Sequence, residues 1–219
     1  LNVVTGLGHQ AGQALARHMD VSKLAFTGSG PTGRKMLQYA AESNMKSVQL
    51  ELGGKSPQVV LDDVADLDAC ASAIAWGIYY NAGQTCNAGS RLIVQGGVKA
   101  ELFARIGEFI KTFKVGDPLD PTTQMGPIVS KLQRDRVGAY LDLVGNEGET
   151  FAFGGEAPTG DNCLIQPTLI DGVKHNSRLS QEEIFGPVLV ALEAKSETEA
   201  LEMANGTEFG LAAAVWSGN

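Results

Sequence analysis

The sequence predicts an α/β chain built on parallel strands joined by crossover helices. Three observations predict it. Short apolar runs end at glycine turns, each turn opens onto a stretch with helical periodicity, and the order strand, turn, helix, strand recurs along the chain. Sheets of this kind bind ligands at the carboxyl ends of their strands, so that edge is where a site is expected. With 219 residues, 43% of them hydrophobic, there is ample material for one large domain or two smaller ones.

Leu1 to Thr5 is apolar enough for a buried parallel strand, and Gly6-Leu7-Gly8-His9-Gln10-Ala11-Gly12 turns from it into a helix reaching about Met19. Lys23 to Thr27 is a second strand, followed by Gly28-Ser29-Gly30-Pro31-Thr32-Gly33 and a helix over Arg34 to Glu42. Lys46 to Leu52 is a third. Beyond the Gly53-Gly54 pair, Gln58 to Leu61 reads as a strand and Asp66 to Tyr79 as a helix with acids in its first turn. Ser90 to Val94 is a strand, Lys99 to Thr112 an amphipathic helix, and Gly116 to Pro121 a loop. Ser130 to Asn146 reads as a helix, with glycine-rich turns at Gly154-Gly155 and from Pro158 to Asp161. Leu164 to Ile170 and Leu189 to Leu192 read as strands, Glu197 to Asn205 as a helix, and Leu211 to Trp216 as a closing strand. The chain starts in a strand without a Met or a polar lead-in and stops just after another, as a piece of a longer polypeptide would.

Composition narrows the function. Lys and Arg number 17 against 25 Asp and Glu, a net charge of -8 without a basic run, which argues against nucleic acid and anionic membranes as partners. No stretch has the length of a membrane span, and no basic flank with an apolar run opens the chain. Three cysteines, Cys70, Cys86 and Cys163, lack paired spacing, which points to a reducing compartment, the cytoplasm, rather than to a disulfide framework or a zinc site. The three histidines lack metal-ligand spacing, so no metal is expected.

Cys86 lies in Tyr80-Asn81-Ala82-Gly83-Gln84-Thr85-Cys86-Asn87-Ala88-Gly89, among small and polar neighbours that leave room for a reacting carbonyl and bring backbone N–H groups close. It is a candidate nucleophile, against the alternative of a plain free thiol; Cys70, among alanines on a helix, reads as core, and Cys163 as packing. Gly28-x-Gly30-x-x-Gly33 follows a strand and opens a helix, so its N–H groups can face a pyrophosphate. That fingerprint places an acid about 20 residues further on, at the end of the next strand, where it binds a ribose hydroxyl. Glu51 stands there. Its position before Leu52-Gly53-Gly54-Lys55 also leaves its carboxylate in open space over the sheet edge, so a role in catalysis, ribose ligand and solvated acid all remain open. Lys55 reads equally as a surface charge. Glu182-Glu183-Ile184-Phe185-Gly186-Pro187 forms a shaped loop in which Phe185 either faces a ligand or packs.

Taken together, Phe26-Thr27-Gly28-Ser29, Glu51-Leu52-Gly53-Gly54-Lys55-Ser56-Pro57, Gly83-Gln84-Thr85-Cys86 and Glu183-Ile184-Phe185-Gly186-Pro187 resemble the NAD(P)-dependent aldehyde dehydrogenase superfamily. The resemblance runs the whole chain in the right order. It implies a Rossmann-like coenzyme domain, represented by its C-terminal part over 1–53, and a catalytic α/β domain over 54–219, truncated at its C-terminus. It implies Cys86 as nucleophile and Glu51 as general base. Gly28, Ser29, Leu52 and Gly53 would be coenzyme contacts, with Glu183 and Phe185 beside the nicotinamide ribose. NAD or NADP would be the cofactor, a small aldehyde the substrate, and a homo-oligomer, dimer or tetramer, the assembly of the full-length parent.

Within that superfamily Asn2-Val3-Val4-Thr5-Gly6, the stretch 12–20 and Ser43-Asn44-Met45-Lys46 look most like dehydrogenases of γ-glutamylaminobutyraldehyde. Gly30-Pro31 departs from the superfamily's usual Thr-Glu, and Ala82 from its frequent Gln. The superfamily's Trp-Asn loop, whose Asn holds the oxyanion, its ribose-binding Lys and Glu, and its C-terminal oligomerisation strand are not in the sequence, so the isolated chain is expected to be inactive. A cysteine hydrolase or acyltransferase working without a dinucleotide, and a non-catalytic fragment, are the competing classes.

Overall fold

The structure is a computed structural model that describes residues 1–156 and 162–219. The chain divides into two compact units, Leu1–Gly53 and Gly54–Asn219. Among the described residues no helix is long and apolar enough to cross a membrane.

In the first unit a wide turn at Gly8–Gly12 runs into α1 (Gln13–Arg17), followed by β1 (Lys23–Thr27), α2 (Gly30–Ala41) and β2 (Ser47–Glu51). The two strands pair in parallel from Lys23 opposite Ser47 to Thr27 opposite Glu51, so α2 is a crossover helix. Ser29 holds the N-cap of α2 in extended geometry and Pro31 stands in its first turn, where its missing N–H forfeits no bond. Gly33, Met36 and Ala40 form its buried face. The buried Lys46 donates from Nζ to the Ala16 carbonyl at 2.6 Å and to Ser43 Oγ at 2.8 Å, tying the end of α1 to the approach of β2.

The strand expected over Leu1 to Thr5 does not form. Leu1, Val3 and Val4 are exposed, and among the described residues of this unit the sheet has two strands, β1 and β2. An apolar run becomes a strand only where a neighbour supplies the other half of its hydrogen-bond ladder.

The second unit holds β3 (Pro57–Val60), α3 (Leu67–Tyr79), β4 (Arg91–Gln95), α4 (Gly96–Lys111), α5 (Lys131–Leu141), β5 (Thr150–Phe153), β6 (Thr168–Asp171), α6 (Arg178–Gln181), β7 (Val188–Ala194), α7 (Glu197–Asn205) and β8 (Ala214–Trp216). Its sheet runs in the order β5-β6-β7-β4-β3-β8, parallel throughout except for the outer β5. β3, β4 and β7 are buried almost along their length, which is why they read as near-continuous apolar runs rather than alternating ones. Asp66 caps α3 by accepting from the Ala69 N–H at 2.9 Å, and Cys70, Ile74, Ile78 and Tyr79 lie on its buried face. Tyr79 donates its hydroxyl to the Thr168 carbonyl at 3.0 Å. Cys70 is core, and burial pushes its thiol up to about 12, so it carries little thiolate near neutral pH.

Several readings of this unit change: the helix expected over Ser130 to Asn146 spans Lys131–Leu141, and the closing strand expected from Leu211 begins at Ala214. The strand expected from Leu164 narrows to Thr168–Asp171, behind Pro167, which has no N–H for a ladder. β5 went unread because its four residues are mostly exposed and pair only along one edge. α6 is a single turn, capped by Ser177 accepting from the Ser180 N–H at 3.3 Å, too short to show periodicity. Gly154 and Gly155 do turn the chain, with φ of +68° and +85°, while the turn expected from Pro158 to Asp161 lies outside the described residues.

Candidate active site

The segment from α3 to β4 is held in an uncommon backbone conformation. Asn81 and Ala82 have φ of 51° and 53°, and Gly83 follows at 70°, three consecutive residues in the left-handed region. The side chains brace this arch. Asn81 Nδ2 donates to the Gln84 carbonyl at 3.1 Å, Gln84 Nε2 to the Asn81 carbonyl at 3.2 Å, and Gln84 Oε1 accepts from the Val129 N–H at 2.8 Å. Past the arch, Ala88 N–H bonds the Thr85 carbonyl at 3.1 Å and Gly89 N–H the Gly77 carbonyl at 3.0 Å. Cys86 sits between these anchors, half-buried, a free thiol whose backbone N–H has no hydrogen-bond partner among the described residues. Such an N–H is free to meet a developing oxyanion.

Gly83 is required twice over. A Cβ there would lie 2.0 Å from the Gly186 carbonyl oxygen, and its φ disfavours any L side chain. Gly83→Ala is therefore expected to lower stability by at least about 2 kcal/mol, read from the urea midpoint, and to raise Cys86 alkylation by iodoacetamide as the arch relaxes. A midpoint equal to that of the unsubstituted chain would show that the arch carries no strain.

The second wall comes from the entry to β3. A Cβ on Gly54 would lie 2.3 Å from the Cys86 carbonyl oxygen, so only glycine lets this backbone lie against the cysteine loop. Gly54 N–H also donates to Glu183 Oε1 at 3.1 Å. Burial raises the Glu183 carboxyl, opposed by that N–H and by the charge of Lys55. The third wall is the loop entering β7. Phe185, half-buried, has φ 56°, and the Gln133 side-chain amide on α5 donates to the carbonyls of Ile184 at 3.0 Å and Phe185 at 3.1 Å. Gln133 carried no functional signal in the sequence, since the loop it braces lies about fifty positions downstream. A cavity of about 550 Å³ is lined by Trp76, Tyr80, Thr85, Asn87, Gln58 and Trp216, so it adjoins both residues flanking Cys86.

Cys86, Glu183 and Phe185 are thus brought together in the second unit. They stand at the amino ends of β4 and β7, with Gly54 at the amino end of β3, and not at the carboxyl edge where a parallel sheet usually takes its ligand. The remaining candidates belong to the first unit and obey the usual rule. Gly28 and Ser29 follow β1, and Glu51 ends β2 with Leu52 and Gly53 behind it. Gly28 N–H bonds the Glu51 carbonyl at 3.0 Å, and the exposed Glu51 stands opposite Thr27 at the strand end. Ser29 Oγ and Thr32 Oγ1 lie 3.0 Å apart in the opening turn of α2, and a Cβ on Gly33 would come within 2.6 Å of Leu52. Lys55, read as equally a surface charge, is buried at 1% exposure.

The chain as a whole is similar to known proteins. The family model described as the aldehyde dehydrogenase family matches residues 1–219. An aminoacetaldehyde dehydrogenase of Pseudomonas aeruginosa is 46% identical over 218 residues, 100% of this chain and 44% of that protein. The crystal structure of an indole-3-acetaldehyde dehydrogenase in complex with NAD+ superposes with a TM-score of 0.94 at 44% identity, covering 98% of this chain and 44% of that one. A γ-glutamyl-γ-aminobutyraldehyde dehydrogenase from Burkholderia cenocepacia gives 0.89 at 42% identity, over 95% of this chain and 42% of its own. The chain thus spans less than half the length of these proteins, and by the match of its whole sequence and fold it belongs to the aldehyde dehydrogenase family.

Proposed function

We propose that the protein carrying this chain oxidises an aldehyde to a carboxylic acid with NAD or NADP, residues 1–53 closing its coenzyme domain and 54–219 forming most of its catalytic domain. The observation that carries this reading is the convergence of the Cys86 loop, the Gly54 backbone and Glu183 at one edge of the sheet. The residues present fit a dinucleotide. The opening turn of α2 offers Ser29 and helix N–H groups to a pyrophosphate at the end of β1, and Glu183 is a half-buried carboxylate suited to ribose hydroxyls. The dinucleotide supplies the hydride acceptor when bound.

A thiolate adds to an aldehyde carbon readily, so Cys86 forms a thiohemiacetal whose oxyanion is met by the free Cys86 N–H. Loss of hydride leaves a thioester on Cys86, and Glu51 activates the water that hydrolyses it. The cavity beside Thr85 and Asn87 has aromatic walls in Trp76, Tyr80 and Trp216, fitting the body of the aldehyde. For the aldehyde itself we favour γ-glutamylaminobutyraldehyde or a close analogue, supported by the resemblance over 2–6, 12–20 and 43–46 and by similarity to a dehydrogenase of that name. Cysteine usage supports a cytoplasmic enzyme, and the family resemblance a dimer or tetramer.

The rival hydrolase reading wants a histidine beside the thiol. His175, the histidine of the second unit, packs instead on Gly206, where a Cβ would lie 2.4 Å from its Nε2. Aldehyde-dependent NADH formation by a polypeptide carrying this chain within the length of its relatives tests the proposal. Hydrolysis of an activated ester that needs no dinucleotide, with no NADH formed, would favour the hydrolase.

A further inference from the structure

Lys55 enters β3 directly behind Gly54, buried at 1% exposure, and its Nζ has no hydrogen-bond partner among the described residues. A buried ammonium without a partner is rare, because removing its hydration must be offset by nearby negative charge. The charged groups around it are Arg91 on β4 and Glu182 and Glu183 on the loop before β7. Arg91 is committed elsewhere, donating to the carbonyls of Met203 at 2.9 Å and Ala204 at 2.8 Å. Glu182 is committed as well, to Arg178 at 2.8 Å and 2.9 Å and to the Tyr140 hydroxyl on α5 at 2.8 Å. Glu183 is left. Its carboxylate accepts from the Gly54 N–H and forms no ion pair among the described residues.

The geometry points to Lys55 as a positioning residue that keeps the Glu183 carboxylate ionised against its own burial. The inference deepens the proposed function, on which the role of Glu183 toward a ribose rests, but the pairing itself stands apart from that role. The surroundings support it, since burial and Arg91 lower Lys55 to about 7 while Glu183 and Glu182 raise it. In the acid range where a carboxyl titrates, Lys55 is therefore still a cation. A cation beside a carboxylate favours the charged form, so removing it raises the pH at which Glu183 takes up its proton.

The test is a carboxyl carbon NMR titration of the chain labelled at glutamate, with Glu183→Gln identifying the resonance. Lys55→Met is expected to raise the Glu183 midpoint by about one pH unit or more, and Lys55→Arg to leave it near the original value. Reciprocally, Glu183→Gln is expected to lower the Lys55 midpoint, read at its ε-carbon, which needs no change at Lys55 itself. An unmoved Glu183 midpoint in Lys55→Met, an Arg variant that shifts as far as the Met variant, or a Lys55 midpoint indifferent to Glu183→Gln would each overturn the pairing. In a polypeptide of the relatives' length, Lys55→Met should move the acid limb of kcat/KM for the dinucleotide to higher pH. If the NMR shifts appear but Glu183→Gln leaves the dinucleotide KM unchanged, the pairing stands and the ribose reading falls.

Discussion

Cys86→Ser is expected to reduce aldehyde-dependent NADH formation by a thousandfold or more, to roughly the background of the buffer, in a polypeptide carrying this chain within the length of its relatives. A serine hydroxyl titrates far above neutral pH and is a poor nucleophile without an adjacent base. The arch at Asn81 to Gly83 supplies rigidity rather than a base. Dinucleotide binding should survive the change, because the loop is anchored by Gln84, Ala88 and Gly89 and not by the sulfur. Mass spectrometry offers a parallel measurement. Iodoacetamide should modify Cys86 well before Cys70, whose thiol burial holds at about 12. Equal rates from Cys86→Ser and the unsubstituted protein would end the dehydrogenase account.

Glu51→Gln has the second largest expected effect, a loss of roughly a hundred- to ten-thousandfold in steady-state turnover with a retained first burst of NADH. The amide keeps the shape of the strand end, where the Glu51 carbonyl still accepts from Gly28 N–H, but it cannot take a proton from water. Acyl-enzyme should then accumulate on Cys86 and be visible as a mass increment. The outcome also separates the base and ribose-ligand roles among those the sequence left open for Glu51. A stalled thioester with normal coenzyme affinity makes it the base, whereas a collapse of coenzyme affinity with normal deacylation makes it a ribose ligand.

Local chemistry made the candidate residues legible, and long-range packing hid the residues that brace them. Cys86 could be picked out because glycines and polar residues surround it within a few positions, and Glu51 because a strand end and two glycines adjoin it. The crossover pattern was equally local, and β1 and β2 fall within a residue of where their periodicity put them, while α2 begins at Gly30, inside the expected glycine turn, rather than at Arg34. Lys55 could not be read, because its burial and the charges that act on it, Arg91 and the Glu182-Glu183 loop, come from far along the chain. Gln133 was hidden for the same reason. Leu1 to Thr5 failed in the opposite direction, as apolarity predicts a strand without saying whether a neighbour will be there to pair with it.

The amino-edge arrangement of the second unit bears on how the proposed chemistry would be lost. Gly54, Cys86 and Glu183 are delivered by three adjacent strands, β3, β4 and β7, so their spacing is inherited from the ladder itself. Sliding β4 by two residues against its neighbours would keep the alternation of faces yet displace the sulfur by about 6–7 Å, enough to dismantle the constellation while leaving an oily, well-paired interior. On the proposed function, strand register rather than mere compactness would separate a competent molecule from an inert look-alike.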